Sequence, residues 1–267
     1  MNELGQPDCE NLWGYAKRLR FIREMIAEAF PLREARTLRV LDVGCGNGSQ
    51  LALPLVRWGF QLTGLDTDDD SIEHAKRLAA DATNAQFICG RVEELPGDAL
   101  FDVVILSEVL EHLTEPARVL KTSAGHLAAG GILIVTVPNG YGEFEIDSWF
   151  FQALRLQSIV NALARGDKVS VAATDNHESG HIQFFTRRRL ARLFAECDLK
   201  VFREGASVLF CGPLAGHTLA RSPRFVEWNA RVADKLPLAL SSGWYFALRR
   251  EHSSAARVLP RSDSATV

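Results

Sequence analysis

The sequence predicts an α/β fold built on a doubly wound, mainly parallel sheet. Three observations lead to this prediction. Short apolar runs alternate with segments of helical periodicity, each run is apolar almost throughout, and glycine or acidic residues follow the first runs. Strands that helices cover on both faces have such uninterrupted apolar sequences. In sheets of this kind, ligands bind beyond the carboxyl ends of the strands, near the switch in strand order.

The individual elements follow from periodicity and from breaker residues. An amphipathic helix is predicted over residues 11–30, with Arg and Lys on its other face and Pro31 beyond its end. Strands are predicted at 39–43, 60–65, 85–89, 103–106 and 132–137, and helices at 50–58, 71–80 and 116–127. A later helix over 187–196 has Thr186 as its N-cap. Strands are expected near 200–203 and at 243–248.

The chain has 267 residues, of which 47% are hydrophobic, so it can bury one large core. We expect a single domain over residues 1–250, with a core at 39–137 and insertions at about 140–180 and 206–241. The first insertion contains an apolar helix over 146–164 and a polar loop through 175–178. The Ser- and Ala-rich residues 251–267 are predicted to form a disordered tail.

Composition favours an ordinary enzyme in a reducing compartment. The formal net charge is −3, whereas proteins that bind phosphate backbones have an excess of basic residues. The charge therefore argues against a nucleic-acid partner. The five cysteines are scattered without a close pair, as free thiols are. The acidic start does not resemble a signal peptide, and no apolar run is long enough to span a bilayer. We therefore expect a cytoplasmic protein.

A glycine-rich turn after the first strand is the clearest candidate for a ligand site. Gly44, Gly46 and Gly48 have the spacing G-x-G-x-G, which departs from the dinucleotide fingerprint G-x-G-x-x-G. Glycines let the backbone approach a ligand that a Cβ atom would exclude. A cationic ligand with an amino-acid tail also needs nearby carboxylates, such as Asp42. Asp66 ends the second strand, where a carboxylate can accept ribose hydroxyls.

Together, residues 40–48, 62–66, 101–104 and 130–133 resemble the class I S-adenosylmethionine-dependent methyltransferases. The resemblance implies a Rossmann-like methyltransferase fold with a seven-stranded sheet, apolar helical insertions and S-adenosylmethionine as cofactor. The cofactor residues it implies are Asp42, Gly44, Cys45, Gly46, Asn47, Gly48, Asp66, Thr67, Arg91, Val92 and Ser107. Family members often carry an acidic residue where this chain has Arg91. We therefore expect backbone groups at Arg91 and Val92 to hold the adenine.

The segment after the fourth strand offers the candidate catalytic groups. If a helix starts there, Glu108, Glu111 and His112 lie at i, i+3 and i+4 and share a face. They could coordinate a divalent ion, His112 could accept a proton, or the acids could cap a helix while His112 packs against the cofactor. Similar Glu-x-x-Glu-His segments bind a metal in ubiquinone-pathway O-methyltransferases and small-RNA 2′-O-methyltransferases. In the RNA enzymes a further His is a ligand, and His181 has a comparable position.

We favour His112, His181 and Glu111 as catalytic residues without a metal, and a divalent metal is the less favoured alternative. Residues 138–144 follow the fifth strand, where the family builds its acceptor pocket. Tyr141 and Phe144 could flank an acceptor and Asn139 or Glu143 could orient a hydroxyl, although Pro-Asn-Gly is also a turn sequence. Arg187 to Arg189 and Arg192 form either a solvated helix face or a contact for an anionic headgroup.

The predicted function is methyl transfer to an oxygen of a small or lipid-linked acceptor, such as a glycan or a quinone precursor. Two apolar insertions near one acceptor site also indicate peripheral contact with the inner face of a membrane. The alternatives are a metal-assisted RNA 2′-O-methyltransferase and a non-catalytic protein that only binds the cofactor. A fold does not by itself decide between them. The oligomeric state is not predicted.

Overall fold

The structure, a computed structural model, describes residues 10–140, 181–212 and 222–251. Within these ranges the helices are α1 (Tyr15–Ala29), α2 (Ala52–Arg57), α3 (Asp69–Leu78), α4 (Pro116–Gly125), α5 (Arg187–Glu196) and α6 (Pro223–Ala233). The strands are β1 (Arg39–Val43), β2 (Gln61–Asp66), β3 (Ala85–Cys89), β4 (Phe101–Ser107), β5 (Leu127–Pro138), β6 (Leu199–Ala206) and β7 (Gly243–Arg250).

The seven strands form one sheet in the order β3-β2-β1-β4-β5-β7-β6. Neighbouring strands from β3 to β5 are parallel, while β7 runs antiparallel to both β5 and β6. The order reverses between β1 and β4, where connections leave to opposite sides and open a crevice at the carboxyl ends of the strands. The predicted doubly wound, mainly parallel seven-stranded sheet is confirmed.

Alternate residues of the central strands pack into two separate cores. On β4, Val103 and Ile105 belong to the core that α1, α2 and α3 cover, whereas Val104 and Leu106 belong to the core beneath α4 and α5. All four side chains are fully buried. Because successive side chains of a strand point to opposite faces, a strand covered on both sides must be apolar throughout. This is why the strands read as continuous apolar runs.

Most predicted boundaries hold within a few residues, and the exceptions have local causes. α1 begins at Tyr15 instead of residue 11, after Gly14 in a left-handed conformation. The helix predicted over 116–127 ends at Gly125, because Leu127 already pairs with Phe101 in the sheet. The Thr186 hydroxyl accepts the Arg189 N–H at 3.2 Å, which confirms the predicted N-cap.

The described parts of the second predicted insertion, residues 206–212 and 222–241, lie between β6 and β7. Pro138, at the end of β5, pairs with Gly243, at the start of β7, so the connection between β6 and β7 starts and ends at the same end of the sheet as the carboxyl end of β5. α6 is part of this connection. Of the first insertion, predicted at about 140–180, residues 141–180 with the predicted helix over 146–164 lie outside the described residues. So do residues 252–267 of the tail predicted at 251–267. In the part of the chain that is described, no helix has the length and apolar character needed to cross a membrane.

Four of the cysteines are described, and all four have free thiols, as expected from their spacing. They are Cys45, Cys89, Cys197 and Cys211.

Candidate active site

A cleft of about 320 Å³ opens at the carboxyl ends of β1, β2 and β3. This volume lies within the range of about 300–1,000 Å³ that is typical of small-molecule sites. Five of the predicted cofactor residues line it: Gly44, Asp66, Thr67, Arg91 and Val92. Val109, His112 and Leu113 contribute the wall that follows β4. The cleft thus lies at the switch in strand order, where the sequence predicts the cofactor site.

The glycine turn after β1 is held in a conformation that suits glycine. Gly44 has a φ of 74°, and a Cβ atom there would lie 2.6 Å from Cγ2 of Val109. Gly46 has a φ of 52°, but a Cβ atom there would meet nothing within 4 Å. Both positions disfavour other residues through the backbone, and Gly44 also through direct steric exclusion. The turn can therefore present its backbone to a ligand at close range.

Asp66 joins the end of β2 to this turn. Its Oδ2 accepts the Gly46 N–H at 2.7 Å, and its Oδ1 accepts the Asp68 N–H at 3.0 Å. Each carboxylate oxygen can accept a further bond. Asp66 lines the cleft beside Thr67. The carboxylate thus shapes the glycine turn and also remains available to a ligand hydroxyl.

Asp42 is a buried acid at the edge of the site, with 2% of its surface exposed. Among the described residues, its Oδ2 has no hydrogen-bond partner. Burial raises the pKa of Asp42 to about 7, the Arg18 guanidinium opposes this rise, and the Asp66 carboxylate adds to it. A buried carboxylate oxygen without a partner costs free energy unless a cation balances it. Asp42 therefore favours a positively charged ligand nearby.

The other predicted cofactor residues do not line the cleft. The Cys45 thiol lies near Gly64, and burial raises its pKa, so its side chain packs inward. The Asn47 Oδ1 accepts both the N–H and the hydroxyl of Ser49, which stabilises the turn. Gly48 packs against the Phe87 ring. The Ser107 hydroxyl lies 3.0 Å from the Thr136 hydroxyl.

The predicted helical arrangement of Glu108, Glu111 and His112 is wrong. Glu108 has a φ of 57°, and a single 3-10 turn, Leu110–His112, replaces the helix. Glu108 Oε1 accepts the Thr136 hydroxyl at 2.7 Å and lies 3.8 Å from Nη1 of Arg18. The left-handed backbone turns Glu108 toward Thr136 and Arg18, whereas Glu111 is fully buried. The two acids therefore have different surroundings.

Glu111, His112 and His181 come together as one cluster, as the sequence suggested. One ligand atom from each lies within 4.8 Å of the others. The imidazole centroids of His112 and His181 are 4.8 Å apart, and His112 Nε2 is 3.9 Å from Glu111 Oε1. The backbone carbonyl of Glu111 accepts the N–H groups of Ile182 and Gln183, which ties the His181 segment to the turn after β4.

The cluster has unusual electrostatics. Neither side-chain oxygen of Glu111 has a hydrogen-bond partner among the described residues. Burial, and then the Glu108 carboxylate, raise the pKa of Glu111 well above its usual range. Burial, and then His112, lower the pKa of His181. The arrangement suits either a neutral Glu111 beside two imidazoles or a bound cation that balances an ionised Glu111.

The surroundings of Asn139 indicate a structural role. It is buried, and its side-chain amide donates to the carbonyls of Ala239 and Ser241 at 3.2 and 2.9 Å. These bonds join the end of β5 to the segment before β7, so they favour the turn interpretation over a contact with an acceptor hydroxyl. Tyr141, Glu143 and Phe144 lie outside the described residues.

Sequence reasoning missed Arg18, which it assigned to the polar face of α1. Its side chain is 13% exposed, and its guanidinium donates to Gln50 Oε1 at 3.0 Å. Tyr15 lies one turn earlier, and its hydroxyl donates to the Ser49 carbonyl at 3.4 Å. α1 therefore lies beside the end of the glycine turn. Basic residues on an amphipathic helix are usually solvated, so the sequence pattern gave no indication that Arg18 lies beside the glycine turn.

Comparison with known proteins agrees with this arrangement. The family model of the methyltransferase domain matches residues 13–204. The ubiquinone biosynthesis O-methyltransferase of Caulobacter sp. (strain K31) is 38% identical over 130 residues, which are 46% of this chain and 51% of that protein. Its counterpart from Rickettsia felis is 34% identical over 123 residues, 46% of this chain and 49% of that protein. The chain spans about half the length of these curated relatives.

Solved structures share the fold at low sequence identity. The magnesium protoporphyrin IX methyltransferase of Synechocystis PCC 6803, crystallised with bound S-adenosylhomocysteine, superposes with a TM-score of 0.54 at 14% identity. The match covers 89% of this chain and 83% of that one. The chain belongs to the methyltransferase-domain family. The resemblance to class I S-adenosylmethionine-dependent methyltransferases is thereby confirmed at the level of the family and the fold.

Proposed function

We propose that this chain transfers the methyl group of S-adenosylmethionine to an oxygen of a small or lipid-linked acceptor of the quinone-precursor type. The observation that carries the proposal is the cleft bounded by Gly44 and Asp66 on one side and by His112 on the other. One cavity thus brings a nucleotide-binding edge next to the histidine cluster. The relatives named ubiquinone biosynthesis O-methyltransferases support an oxygen acceptor.

On the cofactor side, the chain offers a separate partner for each part of the ligand. Asp66 is positioned for ribose hydroxyls, and the backbone around Arg91 and Val92 for the adenine edge. Arg18 suits the carboxylate of the amino-acid tail, while Asp42 and Glu108 suit its cationic groups. Arg18 and Glu108 lie 3.8 Å apart, and Arg18 also acts electrostatically on Asp42. These opposite charges match a zwitterionic tail.

On the acceptor side, the residues must orient a hydroxyl and remove its proton. Bound S-adenosylmethionine supplies an activated methyl group for direct displacement. Holding the acceptor oxygen in line with that group can lower the reaction barrier by an amount on the order of several kcal/mol. His112 lines the cleft and is our first candidate for the base, and His181 behind it is the second. Glu111 is placed to orient the pair.

Glu111, His112 and His181 also fit a divalent cation. A carboxylate and two imidazoles are common ligands, and both unpartnered Glu111 oxygens are available for one. A bound cation would polarise the acceptor hydroxyl and favour loss of its proton. Glu108 lies outside this cluster and bonds Thr136, so among the described residues a metal site here would use three of the four candidates.

A lipid-linked acceptor is supported by the surroundings of the cleft. Ile182 and Phe184, which follow His181, are 52% and 42% exposed. Four arginines lie just beyond them, Arg187 to Arg189 and Arg192, and all are exposed. Apolar side chains beside cationic ones are typical of surfaces that contact anionic membranes. We therefore include peripheral membrane contact in the proposal.

The first experiment is calorimetric titration with S-adenosylhomocysteine after chelator treatment, with and without added magnesium or manganese. Saturable one-site binding is expected, and its absence would contradict the proposed cofactor site. The second experiment measures transfer of labelled methyl groups to catechols with and without a prenyl chain. Preferential methylation of the prenylated catechol supports a lipid-linked acceptor. Methylation of RNA instead, with strongly salt-dependent binding, would favour the alternative 2′-O-methyltransferase function.

A further inference from the structure

Lys17 of α1 carries a buried ammonium group. The residue is 8% exposed, and Nζ donates to the carbonyls of Ser207 and Ala230 at 2.8 Å each. Asp234 Oδ1 lies 2.7 Å from the same nitrogen. An ammonium has three protons, so these contacts use each of them. Burying a cation is costly unless it is paired and hydrogen-bonded, and Lys17 meets both conditions.

These partners belong to the connection between β6 and β7. Ser207 follows β6, Ala230 lies on α6, and Asp234 follows the last residue of α6. Beside them, the Tyr245 hydroxyl lies 3.4 Å from the Gly14 carbonyl, which can accept its proton, and 3.2 Å from the Ser207 hydroxyl. Lys17 therefore connects α1 to α6 and to the end of β6.

The next residue, Arg18, extends in a different direction. Its guanidinium donates to Gln50, which follows the glycine turn, and lies 3.8 Å from Glu108 at the end of β4. Successive residues of an α-helix are separated by a rotation of about 100° and a rise of about 1.5 Å. Fixing the ammonium of Lys17 therefore restricts the rotation and the height of α1. The same constraint limits the positions that the Arg18 guanidinium can reach.

We propose that Lys17 is a positioning residue for cofactor binding, which anchors α1 so that Arg18 stands between Gln50 and Glu108. The inference rests on the proposed function in one respect, since it takes Arg18 to bind the carboxylate of the cofactor's amino-acid tail. Lys17 itself does not line the cleft. Its contribution to affinity passes through Arg18.

A purely structural role for Lys17 has different consequences. In that case, loss of the ammonium lowers the stability of the fold, but the molecules that remain folded bind cofactor as before. The affinity of the Lys17 variant for the cofactor, measured well below its melting temperature, distinguishes the two roles. They are separated more sharply by whether the effect of Lys17 depends on Arg18.

The test is a double-mutant cycle on the full chain, with S-adenosylhomocysteine affinity measured by calorimetry. The variants are Lys17→Met, Arg18→Ala and their combination, with Lys17→Arg as the conservative control. Arg18→Ala is expected to weaken binding by about 10- to 100-fold, as removal of a charge-assisted contact does. Lys17→Met is expected to weaken binding several-fold in the wild-type background and less than about twofold in the Arg18→Ala background. Lys17→Arg, which keeps charge and donors, restores much of the affinity.

Two results would overturn the inference: wild-type affinity of Lys17→Met, or an equal loss in both backgrounds. If Lys17→Met does not fold, Asp234→Asn takes its place in the double-mutant cycle. Asp234 is largely exposed, and asparagine has nearly the same shape as aspartate. Absence of binding by the wild-type chain contradicts the cofactor site itself. Binding by wild type with unchanged affinity in the Arg18→Ala variant leaves the cofactor site standing but also overturns the inference, because Lys17 is proposed to act through Arg18.

Discussion

The Asp66 carboxylate accepts the backbone N–H of Gly46 at 2.7 Å, so the end of β2 holds the turn that follows β1. The two residues are 20 positions apart in the sequence, but they lie next to each other because β1 and β2 are parallel neighbours. We therefore propose that Asp66 acts on a ligand in two ways: by contact from the cleft that it lines, and through the shape of the glycine turn.

Asp66→Ala is expected to weaken S-adenosylhomocysteine binding by about 10-fold or more, since charge-assisted bonds contribute roughly 1.5–3 kcal/mol each. Asp66→Asn is the matched control, because its amide oxygen can still accept the Gly46 N–H. The control should recover part of the lost affinity. Calorimetry checks both variants, and unchanged affinity in Asp66→Ala would contradict the assignment to the ribose.

Gly44→Ala and Gly46→Ala form a second matched pair. Both substitutions place a Cβ on a left-handed backbone, at a cost of about 1–2 kcal/mol. Only Gly44→Ala also brings that Cβ to 2.6 Å from Val109. Chemical denaturation should therefore show a larger loss of stability for Gly44→Ala than for Gly46→Ala. Equal losses would mean that Val109 moves aside without cost.

Asp42→Asn is expected to stabilise the ligand-free protein at pH 8. Burial raises the pKa of Asp42 to about 7, above its ordinary 3.8. The unfolded chain then loses this proton at lower pH than the folded chain, so the contribution of Asp42 to stability falls as the pH rises from about 4 to about 7. Asn carries no proton to lose. Each pKa unit corresponds to about 1.4 kcal/mol.

Melting temperatures measured between pH 5 and pH 8 test this prediction. The advantage of Asp42→Asn over the wild type should be largest at pH 8 and should shrink below pH 7. Asp98→Asn makes the same change in net charge at an exposed position and should show no such trend. Cofactor affinity should move in the opposite direction at pH 8, because the Asp42→Asn variant lacks the negative charge at this position. A stability difference that does not vary with pH would count against the ionisation of Asp42.

His112→Ala should reduce turnover strongly and leave S-adenosylhomocysteine affinity nearly unchanged. A general base contributes about 10²–10⁴-fold to a rate, whereas adenosine and the amino-acid tail have other partners in the cleft. His126→Ala is a control, because His126 is buried and bonds the Ala99 carbonyl, which is not among the lining residues. Steady-state kinetics and calorimetry separate the two effects. Turnover that survives the loss of His112 would make this residue a packing group.

The sequence predicted the sheet well because its signals are local. β1 and β3 were predicted with their observed ends, since apolar runs between breakers leave little freedom. β5 begins five residues before the predicted start, because residues 128–131 lack an apolar pattern. They lie between two residues that β4 pairs, Leu127 opposite Phe101 and Ile132 opposite Val103, with an irregularity in the register between them. Such pairing is non-local, so no window of the sequence reveals it.

The sequence indicated which residues would meet in the histidine cluster, but it predicted the geometry of the candidate site less well. His112, His181 and Glu111 meet as expected, although about 70 positions separate the two histidines. The separation of Glu108 from them depends on its positive φ, which residue type alone does not predict for a glutamate. Arg18 was missed for a similar reason. Only the packing of α1 decides whether its basic residues meet solvent or, like Arg18, lie against Gln50 and Glu108.

The position of β7 between β5 and β6 has a consequence for synthesis on the ribosome. β7 is the last strand among the described residues, yet both of its neighbours precede it. Strands β1 to β5 can pair as soon as each has emerged, whereas β6 must wait for residues 243–250. Until then, the outer edge of β5 and both edges of β6 are open to other chains. The nascent protein is thus most exposed to aggregation in the half of the sheet that β5, β6 and β7 form.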